Sequence, residues 1–256
     1  MAKEIIQVMK RYELKYHLTK KQVSFFKANI LNHMKVDKYG LTTISSLYYD
    51  TTDFSLINRS IEKPLFKEKI RLRSYGISSK NSPVFLEIKR KNENVVYKRR
   101  IVSTEEKVNR FIQEGEEFDK SQISRELEAF RENYKVLEPK YLIIYDRIAY
   151  YQDNSDLRIT LDLNPRYRVE NLDLHTSLKG TPLLEEGEAL LEIKVQHSVP
   201  LWLVEILTKG KIYQTSFSKV GKAHTIEMNK KNHHEVLINE PIYSYQKGEK
   251  RYGFTI

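Results

Sequence analysis

Charged residues led by Arg, Lys and Glu recur at every second position in several segments of this 256-residue chain. The sets are Arg11, Glu13 and Lys15; Lys69, Arg71 and Arg73; Glu87 and Lys89; Tyr145 and Arg147; Arg158, Thr160 and Asp162; and Glu192, Lys194 and Gln196. Guanidinium and ammonium groups bind phosphate oxygens through charge-assisted hydrogen bonds, bidentate where Arg is used. Carboxylates set among them suit a hard cation such as Mg²⁺ or Mn²⁺. The chemistry available to this set is the capture of a polyanion, with a divalent metal if the carboxylates are free to hold one.

Spacing of two residues is strand spacing, so each set shares one face of a strand. The opposite faces are mostly aliphatic: Ile70 and Leu72; Leu86 and Ile88; Ile144 and Ile148; Leu157, Ile159, Leu161 and Leu163; Leu191, Ile193 and Val195. One reading is an antiparallel sheet with a solvated face. The other is a sheet closed on itself, with the charged face inside and the aliphatic face packed outward on helices. About eight strands leave a barrel wide enough for side chains or a small ligand. A lumen of Arg and Lys is untenable when dry, and needs water and a polyphosphate chain to fill it.

The elements that must position these residues are strands over Ile5–His17, Leu41–Asp50, Phe66–Tyr75, Val84–Lys91, Val95–Val102, Tyr141–Tyr151, Leu157–Asn164 and Leu190–Gln196. Helices fill the gaps. Thr19 caps one whose apolar face is Val23, Phe26 and Ile30. Ser103 and Glu106 have capping-box spacing for a second, and Ser121 to Asn133 repeats Ile123, Leu127 and Phe130 for a third. Pro200 and Gly210 bracket a fourth. The pattern predicts an α+β fold, mainly antiparallel β with peripheral helices.

Composition bounds the rest. Lys and Arg total 44 against 34 Asp and Glu, a formal charge of +10 that favours a polyanionic partner. There is no cysteine, which excludes disulfides, Cys-ligated zinc, iron–sulfur clusters and thiol nucleophiles. No linker or repeat divides the chain, so we expect a single domain over 1–256, with a core at 5–225 and a tail at 226–256. The charged N-terminus and the lack of a long apolar run predict a cytoplasmic protein without a transmembrane segment. Basic residues alternate with aliphatics inside strands instead of lining an aromatic groove, which argues against sequence-specific nucleic-acid binding. Gly221-Lys222-Ala223 is not a phosphate-binding Gly-rich loop, and His233-His234 reads as surface.

The same residues resemble the triphosphate tunnel metalloenzymes, or CYTH superfamily. Within it they look most like the VTC domain, the polyphosphate polymerase module of the vacuolar transporter chaperone complex and its bacterial relatives. The resemblance is carried by Arg11-Tyr-Glu13-Leu-Lys15, Tyr48-Tyr-Asp50-Thr, Lys69-Ile-Arg71-Leu-Arg73, Phe85-Leu-Glu87-Ile-Lys89, Tyr145-Asp-Arg147, Arg158-Ile-Thr-Leu-Asp162, Leu191-Glu192-Ile-Lys194 and Ser216-Phe-Ser218-Lys219. They follow family order from about residue 5 to residue 225. The resemblance implies an eight-stranded antiparallel β tunnel, a closed barrel with peripheral helices. The hydrolytic members open with Glu-x-Glu-x-Lys. Here Arg11 replaces the first Glu, which favours the polymerase pattern over a two-metal triphosphatase. Regulatory SPX and transmembrane segments of some relatives have no counterpart in this sequence, and a membrane-protein partner stays compatible with the family.

What the resemblance implies chemically is transfer of the γ-phosphoryl group of ATP to a growing polyphosphate, with Mn²⁺ or Mg²⁺. Arg71 and Arg73 would grip the triphosphate. Lys89, Arg147 and Arg158 would complete the cradle, with Tyr145 donating a hydrogen bond. Lys15 and Lys98 add lumen cations. Glu192 would hold the metal, while Glu13, Glu87 and Asp162 serve the metal or balance charge. Ser218 and Lys219 start a helix whose N–H groups favour an anion, and Lys194 and Lys222 are further substrate-binding candidates. The competing functions are a tripolyphosphatase or nucleoside triphosphatase on the same tunnel, and a non-catalytic polyphosphate-binding module.

Overall fold

The computed structural model describes residues 12–239 except Lys63, Lys80 and Asn94, and of 233–239 the backbone alone. Arg11, the segment Ile5–Arg11, the side chains of His233 and His234, and the Tyr243–Tyr252 tail therefore lie outside the described residues. The elements are β1 (Tyr12–Leu18), α1 (Lys20–Ile30), β2 (Lys35–Asp50), α2 (Ser55–Ile61), β3 (Phe66–Tyr75), β4 (Val84–Asn92), β5 (Val95–Ser103), α3 (Glu105–Glu114), α4 (Gln122–Tyr134), β6 (Glu138–Tyr151), β7 (Arg158–Arg168), β8 (Thr181–Pro182), β9 (Ala189–Val195), α5 (Leu201–Lys209), β10 (Gln214–Thr215) and α6 (Lys219–Asn239). None of the described helices is long and apolar enough to cross a membrane.

The fold is α+β around one large sheet, in which the described strands pair antiparallel in the order β10-β1-β9-β7-β6-β2-β3-β4-β5, with β8 beside β7. Hydrogen bonding among the described strands does not close the expected eight-stranded barrel. The outer strands β10 and β5 are not joined by backbone hydrogen bonds. The sheet nevertheless curls. On a flat sheet with strands about 4.8 Å apart, β1 and β4 would lie roughly 30 Å from each other. Instead Lys89 Nζ of β4 is 3.3 Å from Glu13 Oε2 of β1. The charged face is the concave one.

The aliphatic faces pack outward on helices, as the alternation requires. On one flank, Ile159, Leu161, Leu191, Ile193 and Val195 meet Val23, Phe26 and Ile30 of α1 and Leu203, Ile206 and Leu207 of α5. On the other, Leu47, Ile70, Leu72, Leu86 and Ile88 meet Val108, Phe111 and Ile112 of α3 and Leu127 and Phe130 of α4. Burying each such side chain favours folding by about 1.5–3 kcal/mol, so these two layers supply the main force that holds the sheet in shape.

A third apolar cluster lies on the concave side. Ile44 of β2 and Tyr141, Ile143 and Tyr145 of β6 pack against Ile57 of α2 and Val220 and Ala223 of α6. The start of α6 is thereby held inside the curl of the sheet. Ser218 caps it, accepting the Gly221 N–H at 3.2 Å through Oγ and the Lys222 N–H at 2.8 Å through its carbonyl.

Several local expectations need correction. The helix over Glu105–Glu114 is capped by Thr104, whose Oγ1 accepts the Lys107 N–H, and not by Ser103, which is the last residue of β5. Helix α2 has too few apolar positions to announce itself. It is anchored by buried Asp50, which accepts the N–H groups of Leu56 and Ile57 at 2.8 Å. Strand β7 runs to Arg168, past the expected end at Asn164, which sits at positive φ within the register shift opposite Tyr145.

Candidate functional site

The concave face carries its charge on many strands, and cross-strand pairing decides who meets whom. Arg71 of β3 stands opposite Glu87 of β4 and Tyr48 of β2. Its Nε and NH2 lie 2.8 Å from Glu87 Oε2, and NH1 donates to the Tyr48 hydroxyl at 3.0 Å. Arg73, opposite Ser46, donates to Ser46 Oγ and the Tyr145 hydroxyl at 3.4 Å each, and its NH1 is 3.7 Å from Glu87. Lys98 of β5 reaches the other Glu87 oxygen at 2.7 Å. Burial alone would raise the Glu87 pKa, but Arg71, Arg73 and Lys98 outweigh it and hold the value at about 2.

Across the curl, Glu13 of β1 bridges Lys15 at 3.2 Å and Lys89 at 3.3 Å. Burial raises its pKa, and Lys89, Lys15 and Lys194 bring it down to about 2. Lys15 also donates to the Phe217 carbonyl at 3.5 Å, which ties β1 to the approach of α6. Glu192 of β9 stands opposite Lys15 and Thr160 and accepts from Lys194 at 2.6 Å. Its pKa is lowered: burial and the Glu13 charge oppose ionisation, and Lys194 and Lys15 prevail.

The third group joins β6, β7 and α6. Arg147 holds both oxygens of Asp162 at 2.6 and 2.8 Å, and Lys219 reaches Asp162 Oδ2 at 2.5 Å. Both cations lie over the Tyr145 ring, at 5.1 and 4.4 Å from its centroid. Asp162 is 2% exposed and its pKa falls below the usual range despite burial, because Lys219 and Arg147 flank it.

Two further residues, Lys69 and Tyr48, belong to this face. Lys69 donates to Ser218 Oγ at 3.2 Å, and its pKa is pushed down to about 8 by burial together with Lys15, Lys67 and Lys89, against the pull of Tyr48. Tyr48 is held at about 7: burial raises it, and Arg71, Lys69 and Arg73 outweigh burial. The alternation already placed Lys69 on the face of Arg71 and Arg73. Tyr48 enters the sequence reading only within the Tyr48-Tyr-Asp50-Thr motif, which assigns it no role.

Of the expected site residues, Arg71, Arg73, Lys89, Arg147, Glu192, Lys15, Lys98, Tyr145, Lys194, Ser218, Lys219, Glu13, Glu87 and Asp162 are gathered on the concave face by these contacts. Two are not. Arg158 is exposed at the start of β7, and its guanidinium turns back to the carbonyls of Ser155 and Leu157, both at 2.9 Å. Lys222 is exposed and takes part in none of these contacts. Among the described residues, no three His, Cys, Asp or Glu side chains converge in a metal-binding group. The carboxylates are dispersed and each answers a cation.

The model of the VTC domain family matches residues 10–226. The chain belongs to the VTC domain family. No curated protein matches it significantly. The fold of this VTC domain is similar to that of a candidate adenylate cyclase from Bacillus halodurans, with a TM-score of 0.53 at 12% identity over 82% of this chain and 96% of that one. A candidate adenylyl cyclase from Hippeastrum, described as having a dominant triphosphatase activity, matches with a TM-score of 0.45 at 14% identity over 81% of this chain and 92% of that one. The VTC match covers the whole concave face, from Glu13 to Lys219.

Proposed function

We propose that this VTC domain is a metal-dependent polyphosphate polymerase, a single domain that encloses its substrate in a basic tunnel made by the curled sheet and the start of α6. It transfers the γ-phosphoryl group of ATP to the end of an inorganic polyphosphate chain. The observation that carries this reading is the concave face itself, where Lys15, Lys69, Arg71, Arg73, Lys89, Lys98, Arg147, Lys194 and Lys219 outnumber Glu13, Glu87, Asp162 and Glu192. That surplus waits for an anion longer than one phosphate.

Phosphoryl transfer needs in-line positioning and charge neutralisation more than covalent help. A terminal phosphate oxygen of the acceptor attacks the γ-phosphorus, and the bond to the ADP oxygen breaks. The attacking oxygen is already anionic, so no proton has to be removed. This fits a face whose carboxylates Glu13 and Glu87, held at about 2, are too weak to serve as general bases. Arg71, Arg73 and Arg147 orient the donor triphosphate, and the lysines from β1, β4 and β9 guide the acceptor.

A divalent cation fits beside Glu192. The Thr160 hydroxyl oxygen on the neighbouring strand is buried without a hydrogen-bond partner, and with the Glu192 carboxylate it makes a hard-oxygen pair suited to Mg²⁺ or Mn²⁺. Too few protein oxygens converge there for a resident ion, so phosphate oxygens and water complete its shell. When bound, the cation neutralises charge on the phosphates. The test is incubation with ATP and Mn²⁺ or Mg²⁺, with products sized on a gel. Long chains support the polymerase. Orthophosphate alone would make the domain a hydrolase, and no turnover would make it a binding module.

A further inference from the structure

We infer that Tyr48 is a positioning residue of the anion cradle: it holds Arg71 in the empty site, and yields it to the incoming phosphate while taking up a proton. The inference rests on the reading of the concave face as a triphosphate site and adds a proton to its binding equilibrium.

The geometry comes first. Tyr48 stands directly opposite Arg71 across the β2–β3 ladder. Its hydroxyl accepts from Arg71 NH1 at 3.0 Å, and the guanidinium lies 5.8 Å from its ring centroid. The groups that face it are cationic: Lys69, Arg71 and Arg73 from β3, and Lys15 from β1. Glu87 of β4 and Tyr145 of β6 share Arg71 with it, and on its other side Tyr141 of β6 stands opposite it and the start of α6 packs nearby. Arg71 is thus divided between a carboxylate and a phenol.

The electrostatics set the phenol apart from its neighbours. Burial raises the pKa of Tyr16, Tyr49, Tyr134, Tyr141, Tyr150 and Tyr167. Tyr48 alone among the described tyrosines with a resolved shift moves down, to about 7. Above that pH the empty site carries a phenolate ion-paired with Arg71. A phosphate oxygen that takes the Arg71 N–H also places negative charge beside the phenolate. The repulsion is relieved when the phenolate takes a proton from solvent, and the new O–H can donate to the phosphate. One O–H bond forms, none breaks in the protein, and binding consumes a proton.

The consequence is that triphosphate affinity falls as pH rises through about 7, where the empty site loses the proton that the filled site keeps. Lys69 adds to the same trend near about 8, because an anion favours its charged form. Lysine is silent in the near ultraviolet, and phenolate is not, so the two contributions separate.

The experiment is an ultraviolet difference titration of the full chain and of Tyr48→Phe, without metal, using tripolyphosphate as the probe. In the parent protein one phenol should ionise near pH 7, and that step should be missing from Tyr48→Phe. Adding tripolyphosphate at about pH 8 should diminish the phenolate band in proportion to occupancy. The affinity of the parent protein should fall with pH by up to about tenfold per unit more than that of Tyr48→Phe, a difference that cancels the titration of tripolyphosphate itself. Binding with no change in the phenolate band would overturn the Tyr48 inference and leave the triphosphate site standing. No binding at all to the folded protein would overturn both. If Tyr48→Phe fails to fold, the band of the parent protein decides by itself.

Discussion

Arg147 and Asp162 face each other across the β6–β7 ladder, Arg147 donates a hydrogen bond to each carboxylate oxygen, and Asp162 also holds Lys219 from α6. One carboxylate therefore fixes a sheet cation and a helix cation at the same point of the concave face. Asp162→Asn should release both and leave them half-buried without a counter-charge. We expect a loss of about 3 kcal/mol or more, read as a lower urea midpoint. Tripolyphosphate should restore more stability to this variant than to the parent protein, because it supplies the missing negative charge. An unchanged midpoint would remove Asp162 from this role.

Glu87 links the site to acid stability. Its folded pKa of about 2 lies below the unfolded value of 4.5, so its contribution is fully present above pH 4.5 and disappears as pH falls toward 2. The shift corresponds to roughly 3 kcal/mol over that window. Urea unfolding across the window should show the loss in the parent protein. Glu87→Gln should be less stable at neutral pH and should lack this component of the acid-side fall.

Arg73 touches Ser46, Tyr145 and Glu87, and it is nearly buried. Arg73→Ala should weaken metal-free tripolyphosphate binding by about 10- to 100-fold, the value of a charge-assisted contact, and lower turnover with it. Arg158→Ala should do much less, because that guanidinium is spent on two backbone carbonyls. Calorimetry on both variants tests the contrast, and equal losses would mean that Arg158 swings into the curl when an anion arrives.

Glu192→Gln separates binding from chemistry. It keeps the size of the side chain and removes the charge a divalent cation needs. Metal-free binding of tripolyphosphate should persist or tighten, since a carboxylate near the phosphates is gone. Turnover with Mn²⁺ should collapse. If turnover stays near normal, Glu13, Glu87 or Asp162 must take the metal role.

The alternation of charge and aliphatics made the faces of the strands legible, because a period of two leaves no other way for Lys69, Arg71 and Arg73 to lie together. The closure of the sheet was not legible in the same way. Whether β5 and β10 meet depends on accumulated twist and bulges, such as the register shift beside Tyr145, which no pairwise spacing encodes. Arg158 misled because strand parity fixes where a Cβ points and not where a long side chain ends. Tyr48 stands in a family motif, but its role was not legible there, because only the neighbours supplied by β3 make its oxygen unusual.

The threading of the concave face has a consequence for how the protein is made. Strand β1 must wait for β9, with Tyr12 opposite Val195, and Asp162 must wait for Lys219. A ribosome adding about 5–20 residues per second leaves β1 without its partner for roughly 10–40 s. During that interval the aliphatic flank that later meets α5 is uncovered, and the emerging cations have no finished cradle to share. The concave face is thus completed late and all at once, and a chain ended before α6 would leave Asp162 without Lys219.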